Sequence, residues 1–448
     1  MDIKNNEEEL LSQCFDSLFP ICRSITGPGL EQSIALFKEY MPLQIEKIPT
    51  GTQVFDWEVP PEWHFKRARL WGPNGEVVCD TNESNLHVVN YSEPVNRSIE
   101  LEELQKHLHS IPSLPEAIPY VTSYYNRSWG FCLPHKQRQE LQPGTYKVEI
   151  DSSFFHEGGV PFAHCTIVGE SSREILLTSY LCHPSLANNE LSGPLVLLGL
   201  HNRIQQWSKR RFSYRFLLNP ETIGSLCFLS KYYRHLQSNL EAGLILTCVG
   251  GPESNLKYKS SRMANSLFDS YVSYLADHNP TIWKALPFNP LGGSDERQYC
   301  SPGFNLPMGQ ISRTTYGQYD GYHNSLDTKE FMDIKQLIKT IDQLEAFLLD
   351  AEIAGKPLNL SPYGEPQLGK RGLYPNVNSP NNWRNSSDRM HDDRKVLNAI
   401  LTILNLADGE HSILEIANLL DLPLDDLRPI IEKLESENLI RFNSEQNV

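Results

Sequence analysis

Between residues 174 and 352 the chain alternates short apolar runs with helical stretches, and this pattern limits the fold more than any other feature. EILLTSYL (174–181) precedes helical spacing over 192–206. FSYRFLLN (212–219) precedes a helix near 222–236, and GLILTCV (243–249) one near 263–277. The strand around 307–311 precedes a helix near 329–352. A strand wetted on one side alternates polar and apolar residues. These runs do not, so helices must cover both faces of their sheet, and the expected class is α/β. Ligands of such sheets collect where strands end and helices begin. Four polar patches fall there: Cys182-His183 through Asn188-Asn189-Glu190, Glu221 in NPETIGS, Asp295-Glu296 in GGSDERQYC, and His323 with Asp327 in GYHNSLDT.

Neutral imidazoles and carboxylates from separate strands are the donor set of a catalytic zinc, with one position open for water. A carboxylate not bound to the metal would act as general base. Each residue also has a plainer reading. A lone histidine at a strand end is usually a hydrogen-bonding partner, Glu221 can complement the dipole of the next helix, and Asp327 can orient His323 or cap the helix near 329. Their joint placement along one sheet edge is what points to chemistry. No GxSxG elbow and no glycine-rich phosphate loop follows any strand. Cys182 and His183, as strand neighbours, are expected to face opposite ways.

The rest of the chain divides by texture. Residues 6–41 read as two helices broken at Thr26-Gly27-Pro28-Gly29. They belong with 143–353, so that 1–42 and 143–353 make one α/β domain around a β-rich insertion at 43–142, where Trp57, Trp63 and Trp71 are expected in the core. A proline-rich linker covers 354–390, and 391–448 has the outline of a winged helix-turn-helix. That last segment carries five basic and twelve acidic residues, including Asp425, Asp426, Glu432, Glu435 and Glu437 on the would-be recognition helix. Such a surface repels phosphate, so a docking or dimerisation module, through which the chain pairs with itself or another protein, is expected in place of a DNA reader. The whole chain repeats the balance, with 40 Lys plus Arg against 55 Asp plus Glu. Neither a nucleic acid nor an anionic membrane is an expected partner. The start shows no secretory signal, and the nine cysteines lack framework spacing, which suggests a cytoplasmic protein with reduced thiols.

Read end to end, the motifs CRSITGPGLEQS, FDWEVPPEW, YYNRSWGFCL, CHPSLANNELSG, PETIGS, GSDERQYCSPGF, YHNSLD and EPQLGKRGLYP resemble the bacterial polysaccharide biosynthesis proteins with an aminopeptidase-like domain. The resemblance implies a zinc-aminopeptidase-like mixed sheet with helices on both faces, a small inserted domain and a C-terminal winged helix. More distantly, the motif order is similar to that of co-catalytic zinc aminopeptidases. By that likeness His183 is the first histidine ligand, Glu221 the base or a ligand, and His323 the last histidine, with Glu190 a further ligand. Asp295, Glu296 and Asn189 are the candidate contacts to a small peptide or amide substrate. Three positions depart from the pattern. Asn189 stands where a bridging aspartate is expected, Thr222 beside Glu221 where a second glutamate is expected, and Gly250-Gly251 where a later aspartate is expected. A neutral amide does little to offset two dications. One zinc is therefore expected at most, and two functions stay open: a metal-dependent hydrolase acting at an amino end, or a catalytically impaired binding or scaffold protein.

Overall fold

The computed structural model describes residues 3–374 and 387–442. Its centre is an eight-stranded sheet whose strands, in chain order, are β1 (Gln44–Pro49), β2 (Gly159–Ile167), β3 (Glu174–Tyr180), β4 (Ser213–Asn219), β5 (Leu240–Leu246), β6 (Leu256–Lys259), β7 (Trp283–Leu286) and β8 (Met308–Ser312). Their spatial order is β1-β2-β4-β3-β5-β8-β6-β7. The four central strands β4, β3, β5 and β8 run parallel, while β2 and β6 pair antiparallel to their inner neighbours. The unbroken apolar runs have the predicted cause. Along β3, Ile175 and Leu177 enter one core while Leu176 and Tyr180 enter the other. The helices Ile3–Leu18, Ser192–Ile204 and Ile334–Ala351 close the first core, and the helix Ile223–Asn239 closes the second. The short strands β6 and β7 at one end of the sheet are too polar to announce themselves in the sequence.

The insertion forms its own four-stranded antiparallel sheet, ordered Val77–Asp80, Glu62–Trp71, Thr145–Phe155, Val95–Glu100. Two strands sit across the boundaries drawn from composition. Gln44–Pro49 pairs with Gly159–Ile167 of the main sheet, and Thr145–Phe155 pairs with the inserted strands. Backbone pairing is set by partners far away in sequence, which composition does not reveal. Of the three tryptophans expected in this core, Trp63 is buried. Trp57 packs edge-on against Tyr125, and Trp71 lies under the cations of Arg69 and Lys147; both are half-buried.

Glu46 on β1 ties this edge to the helix Ile223–Asn239, accepting from Lys231, Tyr232 and His164. Burial alone would raise its pKa, yet these donors hold it at about 2. An acid depressed on folding stabilises above its unfolded pKa and loses that contribution as pH falls through the folded value. Glu46→Gln is therefore expected to cost about 2 kcal/mol in urea unfolding at pH 6. The difference from wild type should shrink as pH drops below about 4.5 and vanish near 2. A difference independent of pH would show that the carboxylate charge contributes nothing.

The C-terminal module has helices Ser387–Leu406, Ile413–Leu420 and Leu424–Ser436, the second opened by a capping box between Ser412 and Glu415. The start of the stretch read as a linker is structured. Pro357–Asn359 pairs antiparallel with Ile440–Phe442, so both ends of the winged helix share one small sheet. Residues 375–386 of the predicted linker, and the tail 443–448, lie outside the described residues. Arg428 of the helix Leu424–Ser436 binds the carboxylate of Asp350 and the carbonyl of Leu349 at 2.8 Å, docking that helix against the α/β domain. All nine cysteines are free thiols, eight of them buried. Among the described residues no helix is long and apolar enough to cross a membrane.

Candidate active site

The carboxyl ends of β3, β4, β5 and β8 meet at one rim of the sheet, and all four polar patches converge there. The strand β3 runs into Leu181-Cys182-His183, and the chain returns through a single π-helical turn, Ala187–Leu191, before the helix Ser192–Ile204. Such turns aim side chains that a regular helix would misplace. Here the turn buries Asn188, Asn189 and Glu190 behind His183. Glu190 takes the Cys182 N–H and sets its other oxygen 2.8 Å from His183 Nδ1. The opposite nitrogen, Nε2, stands 3.9 Å from the Glu221 carboxylate. His323 completes the cluster, its ring 5.4 Å from that of His183.

The two imidazoles are tuned apart. Burial favours neutral His183, but Cys182 and the Glu190 carboxylate at Nδ1 push its pKa upward. Burial and then the neighbouring His183 lower His323 to about 3, which leaves it a neutral donor. Cys182 corrects the sequence reading. β3 ends at Tyr180, strand alternation no longer applies, and the thiol lies 3.3 Å from His183 Nδ1. Burial raises that thiol to about 11, so it stays protonated near neutrality and is a poor nucleophile.

Glu221 projects from a strained corner. Thr222 has φ 62° and ψ −76°, and the Ile223 N–H closes back on the Glu221 carbonyl at 2.8 Å, which together make a γ-turn of the rare hand. A β-branched residue with positive φ is an outlier, and such strain persists only where the surroundings enforce it. Asp295 enforces it by accepting the Thr222 N–H at 2.7 Å. Ser294 donates to Glu221 Oε1 at 2.9 Å. The Glu221 side chain is still 32 % exposed.

The expected substrate contacts lie elsewhere. Asp295 is 2 % exposed, and burial followed by the nearby Glu221 carboxylate lifts it to about 7. Glu296 is 0 % exposed, paired with Lys259 and accepting the Ser294 N–H at 2.9 Å. Asn189 is 1 % exposed, its amide donating to the Tyr180 hydroxyl. All three support the site from behind. Asp327 neither caps the helix, which starts at Ile334 with Asp333 as its cap, nor touches His323 in any recorded bond. It accepts the backbone N–H groups of Asn188 at 2.8 Å and Asn189 at 2.9 Å.

Several residues that bear on the cluster gave no functional signal in the sequence. Arg23, fully buried, donates to the His183 carbonyl at 3.0 Å from the loop between the first two helices. Tyr120 of the insertion packs 4.8 Å from His183 and 5.4 Å from His323, ring centre to ring centre. Its N–H donates to the His323 carbonyl at 2.8 Å. The Tyr180 hydroxyl bridges Asn189 and Thr247, at 2.8 Å and 2.7 Å. The contacts of Arg23 and Tyr120 join segments far apart in sequence, from 63 to about 200 residues.

Among the described residues one set of three metal-capable side chains brings its donor atoms together, and it includes His183. Cys182, His183 and Glu190 offer donor atoms within 4.8 Å of one another on the Nδ1 side. Glu221 and His323 lie about the rest of the ring. A family model described as a domain of unknown function, DUF4910, matches residues 12–353. The chain belongs to the DUF4910 family. A second model, described as a winged helix-turn-helix, matches 356–442 and agrees with the strand pairing at 357–359. This DUF4910 chain is 40 % identical over 403 residues to a Clostridium acetobutylicum protein described as a polysaccharide biosynthesis protein with an aminopeptidase-like domain, covering 90 % of this chain and 89 % of that one. A crystal structure from the same organism, described as a candidate peptidase, shares 36 % identity and superposes with a TM-score of 0.83 over 98 % of both chains. A zinc aminopeptidase from Bacillus subtilis superposes at 0.56 with 12 % identity, over 77 % of this chain and 94 % of its own. That likeness shows the aminopeptidase-like fold of the DUF4910 domain.

Proposed function

We propose that this DUF4910 protein is a zinc-dependent hydrolase of aminopeptidase type, cleaving a peptide or amide bond at the amino end of a small intermediate in polysaccharide biosynthesis. The observation that carries the reading is the approach of His183 Nε2, Glu221 and His323 at one sheet rim, with 3.9 Å between Nε2 and the carboxylate and 5.4 Å between the rings. The two imidazoles would hold the ion and leave the Glu221 carboxylate free beside the bound water. The Asn189 Oδ1 atom, buried and without a hydrogen-bond partner, adds a neutral oxygen that an ion could satisfy. Glu190 Oε2, 2.8 Å from Nδ1 and likewise without a hydrogen-bond partner, sets a carboxylate charge on the far side of the ring.

A zinc ion held there would polarise the scissile carbonyl and acidify the attacking water. Glu221 takes the proton of that water at Oε2, its other oxygen being occupied by Ser294. Tyr120 and Tyr180, with rings 4.8 Å and 5.3 Å from His183, exclude bulk water from the imidazole. A second reading has an observation of its own. Asn189, Thr222 and Gly250-Gly251 replace three expected carboxylates, which favours a protein that keeps the pocket for binding without turnover. Metal analysis separates the two. Protein purified without chelator should carry one zinc per chain, and His183→Ala should carry none. Absence of zinc from the wild-type chain would leave the binding reading.

For the winged helix we propose a docking role. Its third helix spends Arg428 on Asp350 of the same chain and shows acidic residues around it. Salt-sensitive binding of the full chain to duplex DNA would overturn this.

A further inference from the structure

The donors gathered on the Nδ1 side of His183 have no part in the hydrolase reading, which uses the opposite nitrogen. Cys182 Sγ stands 3.3 Å from Nδ1 and Glu190 Oε2 2.8 Å from it, and all three side chains are buried. The backbone holds them there. The chain leaving β3 delivers Cys182 and His183 in succession, and the π-helical turn Ala187–Leu191 brings Glu190 back to them. Glu190 Oε1 then fastens itself to the Cys182 N–H. The other oxygen, Oε2, is shielded from water and has no hydrogen-bond partner. A carboxylate oxygen left in that state is costly, and a cation beside it would offset the cost.

The donor set selects the kind of ion. Zn–S is about 2.3 Å and Zn–N and Zn–O about 2.0–2.2 Å, so neighbours on a tetrahedral zinc stand about 3.3–3.6 Å apart. Sulfur and nitrogen already do, at 3.3 Å. Oε2 has to draw back by roughly half an ångström. Loading expels the thiol proton, and any proton on Nδ1, to solvent. Thiolate and carboxylate then set two negative charges against the dication, so the buried cluster ends neutral. Magnesium or calcium, which need about six or more oxygen ligands, would find a sulfur and a nitrogen in their place. We propose that Cys182, His183 Nδ1 and Glu190 form a metal site of their own for a thiophilic dication, on the far side of the ring from Glu221. A ring metallated at Nδ1 keeps its proton on Nε2. This position and one between the two imidazoles are therefore alternatives, and the chain holds one ion at a time.

Cobalt(II) tests this on the full chain freed of metal, because a sulfur ligand shows as a thiolate-to-cobalt charge-transfer band in the near ultraviolet. The band should grow until one cobalt per chain is bound. It should vanish in Cys182→Ser and persist in His323→Ala, which removes a donor from the other side of the ring. Losing even an outer partner costs a metal site about 10–100-fold, so Glu190→Gln should weaken cobalt by at least about tenfold. The glutamine oxygen can still accept the Cys182 N–H, so the loop keeps its anchor. Cobalt bound without the band overturns the proposal and leaves the hydrolase reading standing. A band unchanged in Cys182→Ser overturns it by assigning the sulfur to another of the nine thiols. So does unchanged affinity in Glu190→Gln, or no cobalt bound at all. Failure of the hydrolase reading looks different: no aminoacyl p-nitroanilide is cleaved, and the band is untouched.

Discussion

Glu221→Gln is expected to lower turnover roughly 10²–10⁴-fold while the protein stays folded. Glutamine keeps the shape of the side chain and can still accept the Ser294 hydroxyl that now lies 2.9 Å from Oε1. The strained turn at Thr222 depends on backbone and on Asp295, not on the Glu221 carboxylate, so it should survive. What is lost is the proton acceptor beside His183. Turnover is best followed on whichever aminoacyl p-nitroanilide the wild-type chain cleaves, with zinc content measured on the same samples. Retained zinc assigns Glu221 as the base, and lost zinc assigns it as a ligand. Activity within tenfold of wild type would sink both roles and leave the pocket without a general base.

The second large effect is on stability. Asp327→Ala should cost about 3–5 kcal/mol, because the N–H groups of Asn188 and Asn189 lose their acceptor in a buried site. Burial pushes Asp327 up to about 7 against the pull of those N–H donors, a sign of how little water reaches it. The damage should spread across the rim. Asn188 itself holds the Gly250 N–H at 2.9 Å and the Thr314 carbonyl at 3.0 Å, so one carboxylate braces the loops after β3, β5 and β8. Asp327→Asn keeps one acceptor oxygen and should cost less than the alanine. Urea unfolding measures both, and a loss under about 1 kcal/mol for Asp327→Ala would show that the loop holds its shape without this residue.

Much of this was legible before any coordinates. Near-continuous apolar runs such as EILLTSY fit a strand covered on both faces, and β3 sends its side chains into two cores. The order of strands and helices, the β-rich insertion and the winged outline all follow from periodicity. Strand-end position marks four polar patches that include His183, Glu221 and His323, and it is the family resemblance that singles these three out as candidate ligands or base. The short strands β6 and β7 are not legible because four half-polar residues carry too weak a period. The two swapped strands at the insertion did so because pairing partners lie far apart in sequence.

Residue type and spacing alone thus determined the layered sheet and the rim where its polar loops gather. Tertiary structure alone decided which neighbours act. It turned Asp295, Glu296 and Asn189 inward, set Glu190 on the far side of the imidazole from Glu221, and brought Arg23 and Tyr120 against His183 from distant segments. The reason is that a repeat of two or 3.6 residues specifies which face of an element is buried, whereas the direction of a polar side chain in a loop depends on hydrogen-bond partners that only the folded chain supplies.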